Sequence, residues 1–308
     1  MHTILGINGI SGLGLAASLT SKGLPVRGVG RSAGKGPWEH TKANVLDAAE
    51  LLRALAGSET VYLVVGLDYN IKVWQRDWPI VMSNTIEACM AHGSKLVFMD
   101  NVYAYGSVNG VMREDQPLRP NSKKGKVRAD ILNMLRNAMQ KRGLRATVGR
   151  SADFYGPHCT NSILNNIVFD RHAKGQKAMW FGNPKKVHTF MFTDDIGPAL
   201  AILGTDDRAL GQEWHLPTSA ERWTGEEWVR RSAEAFGVKA GQQSVSAFML
   251  RLIGLFNPLL GEFAEMNYQY TQDYVLSSEK FEKTFGLKPT DPATGLAKTV
   301  ASYKKATI

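Results

Sequence analysis

The sequence predicts an α/β chain in which a doubly wound parallel sheet is followed by a smaller C-terminal α/β lobe. Three observations predict it. From the N-terminus, short apolar runs alternate with segments of helical period, the order that builds a parallel sheet. Glycines 6, 9 and 12 fall between the first apolar run and the first helical segment. After about Gly156 the alternation gives way to a more irregular, helix-rich pattern. A chain of 308 residues, 44% hydrophobic and 21% charged, can bury a large core and is neither disordered nor fibrous.

Taken in order, His2–Ile7 is the first strand and Leu13–Leu19 lies in the first helix. Val26–Val29, Val61–Val65 and Leu96–Met99 are further strands. Between the last two, Ile80–Ala91 carries the 3.6-residue apolar period of an amphipathic helix, which Gly93 closes. Ala129–Met139 is another helix, ended by Gly143, and Ala146–Val148 opens the next strand. Beyond Gly156, Ile163–His172 reads as helical and Thr189–Phe192 as extended. Asp194 and Asp195 form an N-cap pair for a helix reaching Leu203. Thr224–Phe236, Ser246–Phe256 and Ser277–Phe285 complete the helices.

Several classes fall away on composition. Two cysteines, Cys89 and Cys159, give no disulfide framework and point to a reduced compartment. No apolar stretch approaches a membrane span, and the first strand begins at His2, so a cytoplasmic protein without a membrane partner is expected. The net charge of +9 fits an anionic ligand. It comes without a zinc-finger, RNP-type or basic-zipper pattern, so nucleic acid is not expected as a partner. No group of His, Cys, Asp and Glu has metal-ligand spacing.

The strongest local signal is Thr3-Ile4-Leu5-Gly6-Ile7-Asn8-Gly9-Ile10-Ser11-Gly12-Leu13-Gly14. Gly6 permits the tight turn, Gly9 lets backbone approach a pyrophosphate, and Gly12 brings helix and strand together. Asn8, Ile10 and Ser11 complete the loop, whose helix N-terminus offers amides to phosphate. The second strand ends Val29-Gly30-Arg31-Ser32 with no carboxylate at its tip. Arg31 and Ser32, with Lys35 nearby, suit a 2′-phosphate, so NADP(H) is expected, with NAD(H) as the alternative. Residues 1–156 are then the NADP(H)-binding Rossmann domain. Residues 157–308 form mainly a substrate lobe, with about 187–205 returning to the sheet. Asn44, Val45 and Gly66 are further cofactor candidates.

With these motifs in place, the chain resembles the extended short-chain dehydrogenase/reductase family, the NAD-dependent epimerase/dehydratases. Asp100-Asn101-Val102-Tyr103-Ala104-Tyr105-Gly106 is similar to its Ser-Ser-x-x-Val-Tyr-Gly segment. Arg150-Ser151-Ala152-Asp153-Phe154-Tyr155-Gly156-Pro157 is similar to its Arg-Pro-x-x-Tyr-Gly-Pro, and Gln116–Pro120 and Phe192–Asp195 also match. The family's Tyr-x-x-x-Lys pair is missing. Aligned on Gly125, Lys124 stands for the tyrosine and Arg128 for the lysine, while Asn101 replaces the usual Ser/Thr. The resemblance thus implies an atypical subgroup.

What the replacements can still do defines the catalytic candidates. Lys124 can give a proton to a carbonyl oxygen as hydride arrives. Arg128 can grip ribose hydroxyls but cannot shuttle a proton. Asn101 can orient a carbonyl. Tyr103, where sugar dehydratases of the family carry a Glu, is a second acid or a packing aromatic. Tyr69, His158 and His188 join Tyr103 as substrate candidates, and Tyr155 is a cofactor candidate by resemblance. The expectation is an NADP(H)-dependent oxidoreductase or epimerase acting on a small carbonyl or nucleotide-sugar-like molecule. The alternative is a non-catalytic NADP(H)-binding sensor. The resemblance also implies a homodimer through Ile80–Ala91 and Ala129–Met139.

Overall fold

The computed structural model describes residues 1–32, 34, 36–254, 256 and 258–305 and divides the chain into two units. The first comprises Met1–Ala104, Lys123–Arg150 and Ile196–Leu216. Its sheet has seven strands: β1 (His2–Leu5), β2 (Val26–Gly30), β3 (Glu39–Lys42), β4 (Thr60–Leu63), β5 (Lys95–Asn101), β6 (Ala146–Ser151) and β7 (Glu213–His215). They lie in the order β7-β6-β5-β4-β1-β2-β3. His2 is in parallel register with both Val26 and Thr60. The order runs one way from β1 and the other way from β4, and ligands of such sheets bind outside the carboxyl ends at that reversal.

The central strands are buried on both faces. All four residues of β1 and of β4 are buried, so these strands read as apolar runs rather than alternating ones. The edge strand β3, Glu-His-Thr-Lys, has no apolar residue and only exposed or half-buried positions, and the hydrophobic pattern did not reveal it. Helix α1 (Ile10–Ser21) follows β1, and α2 (Ala48–Ala54) is capped by Asp47, which accepts from the Glu50 amide at 2.9 Å.

Two helices are longer than their apolar periods predict. Helix α3 spans Ile71–His92, starting nine residues before the Ile80 of the sequence reading. Pro79 lies inside it, at a half-buried position, and hid the first turns. Asn70 caps it by accepting from the amides of Lys72 and Val73, at 2.9 and 3.4 Å. Gly93, at φ +66°, closes it as expected. Helix α4 spans Lys123–Arg142, so Lys124 and Arg128 lie in its opening turns.

The second unit comprises Tyr105–Ser122, Ser151–Asp195 and Pro217–Ile308. It has no large sheet among the described residues. Three two-stranded parallel pairs join Asp153–Tyr155 to Phe190–Phe192, Ala178–Phe181 to Gln242–Val245, and Val111–Met112 to Val275–Leu276. Aromatics pack its core, among them Tyr155, Phe169, Trp180, Phe190, Phe192, Trp228 and Tyr270. Helix Gly225–Phe236 opens on a capping box between Thr224 and Glu227. The stretch 187–205 divides at Asp195: Phe190–Phe192 pairs within this unit, and from Ile196 the chain belongs to the first. The late strand added to the seven-stranded sheet is β7.

No helix among the described residues is long and apolar enough to cross a membrane. Nor do the described residues gather His, Cys, Asp and Glu into a group able to hold a metal ion.

Candidate cofactor and catalytic site

The glycine loop joins β1 to α1 at the carboxyl edge of the sheet. Gly6 takes φ +92°, which side chains disfavour, and a Cβ there would meet Val65 Cα at 2.9 Å. At Gly12 a Cβ would lie 2.5 Å from Gly6 O and 2.7 Å from Ile7 O, so only glycine lets the helix come this close. Gly9 differs. It is exposed, and a Cβ there would meet only Gly6 O, at 3.5 Å. Gly9 is also the N-cap of α1 and offers no side chain to the first-turn amides. Ile10 and Ser11 begin that turn, whose amides lack partners within the helix and carry the positive end of its dipole. An open glycine before an uncapped helix start fits a pyrophosphate.

At the tip of β2, Arg31 and Ser32 are exposed, and Asn8 Nδ2 donates to Ser32 Oγ at 3.2 Å. Lys42 stands in register with Gly30 on the neighbouring strand, a third polar group at this tip that sequence reading missed. Glu39, the acid of β3, is registered instead with Arg27 at the other end and forms an ion pair with it at 2.6 Å. Lys35 lies outside the described residues. The loop after β3 is pinned locally: Asn44 Oδ1 accepts from the Leu46 amide at 3.1 Å, the Asn44 amide donates to Glu50 at 2.8 Å, and Val45 O accepts from Asn84 at 3.1 Å. Gly66 follows β4 and is exposed, and a Cβ there would meet nothing within 4 Å.

Three catalytic candidates converge in the first unit. Lys124 is 0% exposed, with Nζ 4.7 Å from the centroid of the Tyr69 ring. Tyr69 meets Trp74 edge-on at 5.5 Å, and Tyr103 stacks on the same indole at 6.3 Å. Tyr69 and Tyr103 are half-buried. Asn101 ends β5, and its Oδ1 accepts from the Tyr103 amide at 3.0 Å, fixing the turn that carries the phenol. Two phenols thus flank one tryptophan, with the sealed ammonium over one of them and the Asn101 amide bound to the backbone of the other.

Arg128, one turn after Lys124, faces a different partner. It is 3% exposed and donates through Nε to Asp100 Oδ1 at 2.7 Å. Its guanidinium lies 4.3 Å from the Trp78 centroid and 5.1 Å from that of Phe98. These contacts hold the guanidinium that the resemblance assigned to ribose binding. Asp100 also pairs with Arg150 at 3.5 Å, Arg150 with Glu213 at 2.6 Å, and Glu213 with Arg136 at 2.6 Å. Burial raises the Glu213 pKa, but the Arg136 hydrogen bond and the two guanidiniums outweigh it and hold the carboxyl below the usual range. Sequence reading missed Trp74, Trp78 and Asp100. The available signal was an acid placed directly after the apolar run Leu96–Met99.

The remaining candidates belong to the second unit. Tyr155 is 1% exposed among Phe169, Phe192 and Trp228, and burial, then Asp195, Asp291 and Glu221, push its phenol above the ordinary range. It packs in the core of this unit. His158 is exposed and takes φ +56°, the one non-glycine residue at positive φ among those described. His188 is buried beside Asp153. Both cysteines are buried, which pushes each thiol up to about 12 and leaves it inert.

Comparison with known proteins bears on the fold and the family. A dTDP-glucose 4,6-dehydratase of Streptomyces griseus is 26% identical over 225 residues, covering 71% of this chain and 62% of that protein. A 3beta-hydroxysteroid-dehydrogenase/decarboxylase isoform 2 of Arabidopsis thaliana is 21% identical over 301 residues, covering 87% and 52%. The chain thus spans less than two thirds of the length of either curated relative. Among solved structures, a UDP-glucose 4-epimerase of Thermus thermophilus in complex with NAD superposes with a TM-score of 0.81 at 21% identity, covering 99% of this chain and 100% of that one. A UDP-glucose 4-epimerase of Thermotoga maritima with UDP-glucose gives 0.82 at 19% identity, covering all of both chains at 100%. These likenesses establish the fold. A model of the NAD dependent epimerase/dehydratase family matches residues 2–214, well over half of the sequence, and the chain belongs to that family.

Proposed function

We propose that the protein is an NADP(H)-dependent oxidoreductase or epimerase acting on a small carbonyl or nucleotide-sugar-like substrate, with Lys124 as its proton donor. The observation that carries the reading is the complete burial of the Lys124 ammonium against Tyr69, in the cluster that also holds Tyr103 and Asn101. Lysine is almost never fully buried without a reason. The open glycine loop supports a dinucleotide. Arg31, Ser32 and Lys42 at the tip of β2 favour a 2′-phosphate over bare ribose hydroxyls. The relatives named for dTDP-glucose and UDP-glucose support the substrate class.

When bound, a reduced nicotinamide supplies the hydride for the carbonyl carbon. Lys124 gives a proton from Nζ to the carbonyl oxygen and regains one from solvent; in the oxidative direction it takes the proton back. Asn101 Oδ1 is held by the Tyr103 amide, which leaves Nδ2 to orient the substrate oxygen. Asp100 and Arg128 fix the end of β5 against the opening turns of α4. A second reading makes Tyr103 the acid. It is favoured by exposure, because Tyr103 is half-buried whereas substrate reaches Lys124 only once the side chains covering it are displaced. The proposal further takes the protein as a cytoplasmic homodimer, as the sequence reading implies.

The experiment is a screen of aldehydes, ketones and nucleotide sugars for NADPH oxidation, with NADPH and NADH titrated calorimetrically beside it. Turnover of at least one compound, with tighter NADPH, supports the proposal. Equal affinity for both cofactors removes the NADP(H) assignment, and tight cofactor binding with no turnover of any compound favours a sensor.

A further inference from the structure

We propose that the helical hairpin 247–264 is a docking surface for an anionic lipid bilayer, its exposed apolar side chains entering the headgroup boundary and neighbouring lysines meeting the headgroup phosphates. All of the residues concerned belong to the second unit.

Between Ser246 and Glu262 the polar side chains are Arg251 and Asn257 alone. The stretch folds as two helices, Ala247–Gly254 and Pro258–Ala264. They meet backbone to backbone, since a Cβ on Gly254 would lie 2.5 Å from Gly261 Cα. Larger side chains therefore turn away from that crossing. Leu250 enters the core of the unit at 0% exposure, and Phe263 meets Phe181 at 6.0 Å. Others face water. Six large apolar side chains are exposed among the described residues, and four of them, Phe248, Met249, Leu252 and Phe256, fall in this hairpin. At 3.6 residues per turn, the first three lie on the side of their helix opposite Leu250. Phe248 is 68% exposed and Phe256, in the turn, 91%. A helix apolar on its packed and its outer side alike belongs in a core or against lipid, and such a patch marks a binding surface.

Charge decides what the patch meets. From 171 to 193 the chain carries five basic residues and no carboxylate, and from 235 to 261 two basic residues and again none. The parallel pair Ala178–Phe181 and Gln242–Val245 brings these stretches side by side. Where the hairpin begins, the Gly182 amide donates to Val245 O at 3.0 Å, which places the turn bearing Lys185 and Lys186 beside it. The carboxylate bonded to that turn, Asp273, accepts from the Val187 amide at 3.0 Å. At the other end of the pair a Cβ on Gly241 would lie 3.4 Å from Lys177 Cγ, and Lys239 stands two residues earlier. A second copy of the chain is the poorer occupant. A two-fold interface would press each patch on its own image and lysine on lysine, and lysine is depleted from protein interfaces. An anionic bilayer takes apolar side chains at its headgroup boundary and attracts lysines around them. The helices have eight and seven residues, against the ~20 of a span, so the contact is with the bilayer surface.

The test floats the whole chain at low salt with vesicles of phosphatidylcholine alone and of equal parts phosphatidylcholine and phosphatidylglycerol, with melting temperatures measured alongside. The wild type is expected to bind the mixed vesicles and to bind the neutral ones about tenfold more weakly. Phe248→Ser combined with Phe256→Ser is expected to lower binding to the mixed vesicles about tenfold or more, because two large side chains no longer leave water. Lys185→Gln combined with Lys186→Gln should lower it about tenfold through lost attraction to the headgroups. Leu52→Ser, an exposed apolar position of the first unit, should bind as the wild type does. A wild type that stays off the mixed vesicles overturns the inference, as does unchanged binding in the phenylalanine pair. Equal binding to both kinds of vesicle overturns the anionic assignment, and an equal loss in Leu52→Ser shows unspecific adsorption and counts against the hairpin. Self-association without vesicle binding, abolished in the phenylalanine pair, gives the patch to a second copy and overturns the lipid assignment. Should the pair fail to fold, Phe256→Ser alone is measured, and unchanged binding there counts equally against the inference.

Discussion

The two units bury charge in opposite ways. In the first, three guanidiniums and two carboxylates form a chain, Arg128–Asp100–Arg150–Glu213–Arg136, tied to β5, α4, β6 and β7. In the second, the buried His188 ring meets the half-buried Asp153 carboxylate, with aromatic rings around the imidazole. A parallel sheet repeats its geometry, so several charges can share one network at fixed spacing. Short two-stranded pairs offer no such repeat, and orientation comes from ring stacking instead. The first unit thus carries the glycine loop and the buried Lys124 on a repeating frame. The second fixes single side chains by ring stacking.

Breaking the loop of the first unit gives the largest effect. Gly9→Val is expected to abolish NADPH binding, because its side chain fills the open space before α1. Gly9 is exposed and at ordinary φ, so melting should shift by no more than about 0.5 kcal/mol, as for surface substitutions. Calorimetry and thermal denaturation check both. Wild-type affinity in this variant would show that the loop does not bind the pyrophosphate.

Removing one member of the charge chain comes next. Arg128→Met leaves Asp100 with only the 3.5 Å contact to Arg150 and should destabilise by roughly 3–5 kcal/mol, the usual cost of breaking a buried pair. Chemical denaturation measures it, and a loss below about 1 kcal/mol, the worth of an exposed pair, would mean the network contributes little. At the tip of β2 the effect is smaller. Arg31→Ala should weaken NADPH about tenfold, or ~1.4 kcal/mol, and leave NADH unchanged.

Acid separates the two units most finely. Glu213 in the first unit has a folded pKa held below the 4.5 of a free glutamate. Its stabilisation is therefore complete above pH 4.5 and fades as pH falls through the lower folded value. In the second unit, burial and then Arg171 depress His172 below 6.5, so its contribution starts to fade already below pH 6.5. Melting curves between neutral pH and pH 4 should show that His172→Asn flattens the upper part of the acid loss. Glu213→Gln should flatten the part below pH 4.5. The reverse assignment would contradict the burial of the imidazole.

How much of this was legible in the sequence follows the same division. The glycine loop, the buried strands and α1 announce themselves because a parallel sheet imposes continuous apolar runs and a fixed glycine spacing. Strand β3 does not, since an edge strand of Glu, His, Thr and Lys has no core-facing pattern. Pro79 concealed the start of α3 for a local reason that the Asn70 cap and later turns overcome. In the candidate site, Lys124, Tyr103 and Asn101 were proposed by resemblance, and Tyr69 as a pocket aromatic. That Trp74 joins Tyr69 to Tyr103, and that Asp100 claims Arg128, depends on side chains brought together from separate elements. The Tyr270 hydroxyl and the Asp153 carboxylate that it meets at 3.2 Å are 117 positions apart, and no local pattern connects them.

The central claim, that the sealed lysine of the first unit moves the proton, is tested most directly by turnover of Lys124→Met at saturating NADPH. The carbonyl or nucleotide-sugar substrate found by the screen is used, with Tyr103→Phe measured beside it. The account predicts that Lys124→Met loses about 10²–10⁴-fold in turnover, the usual worth of a general acid, with NADPH affinity nearly unchanged and Tyr103→Phe largely active. Full activity in Lys124→Met with loss in Tyr103→Phe would contradict it and make the phenol the acid.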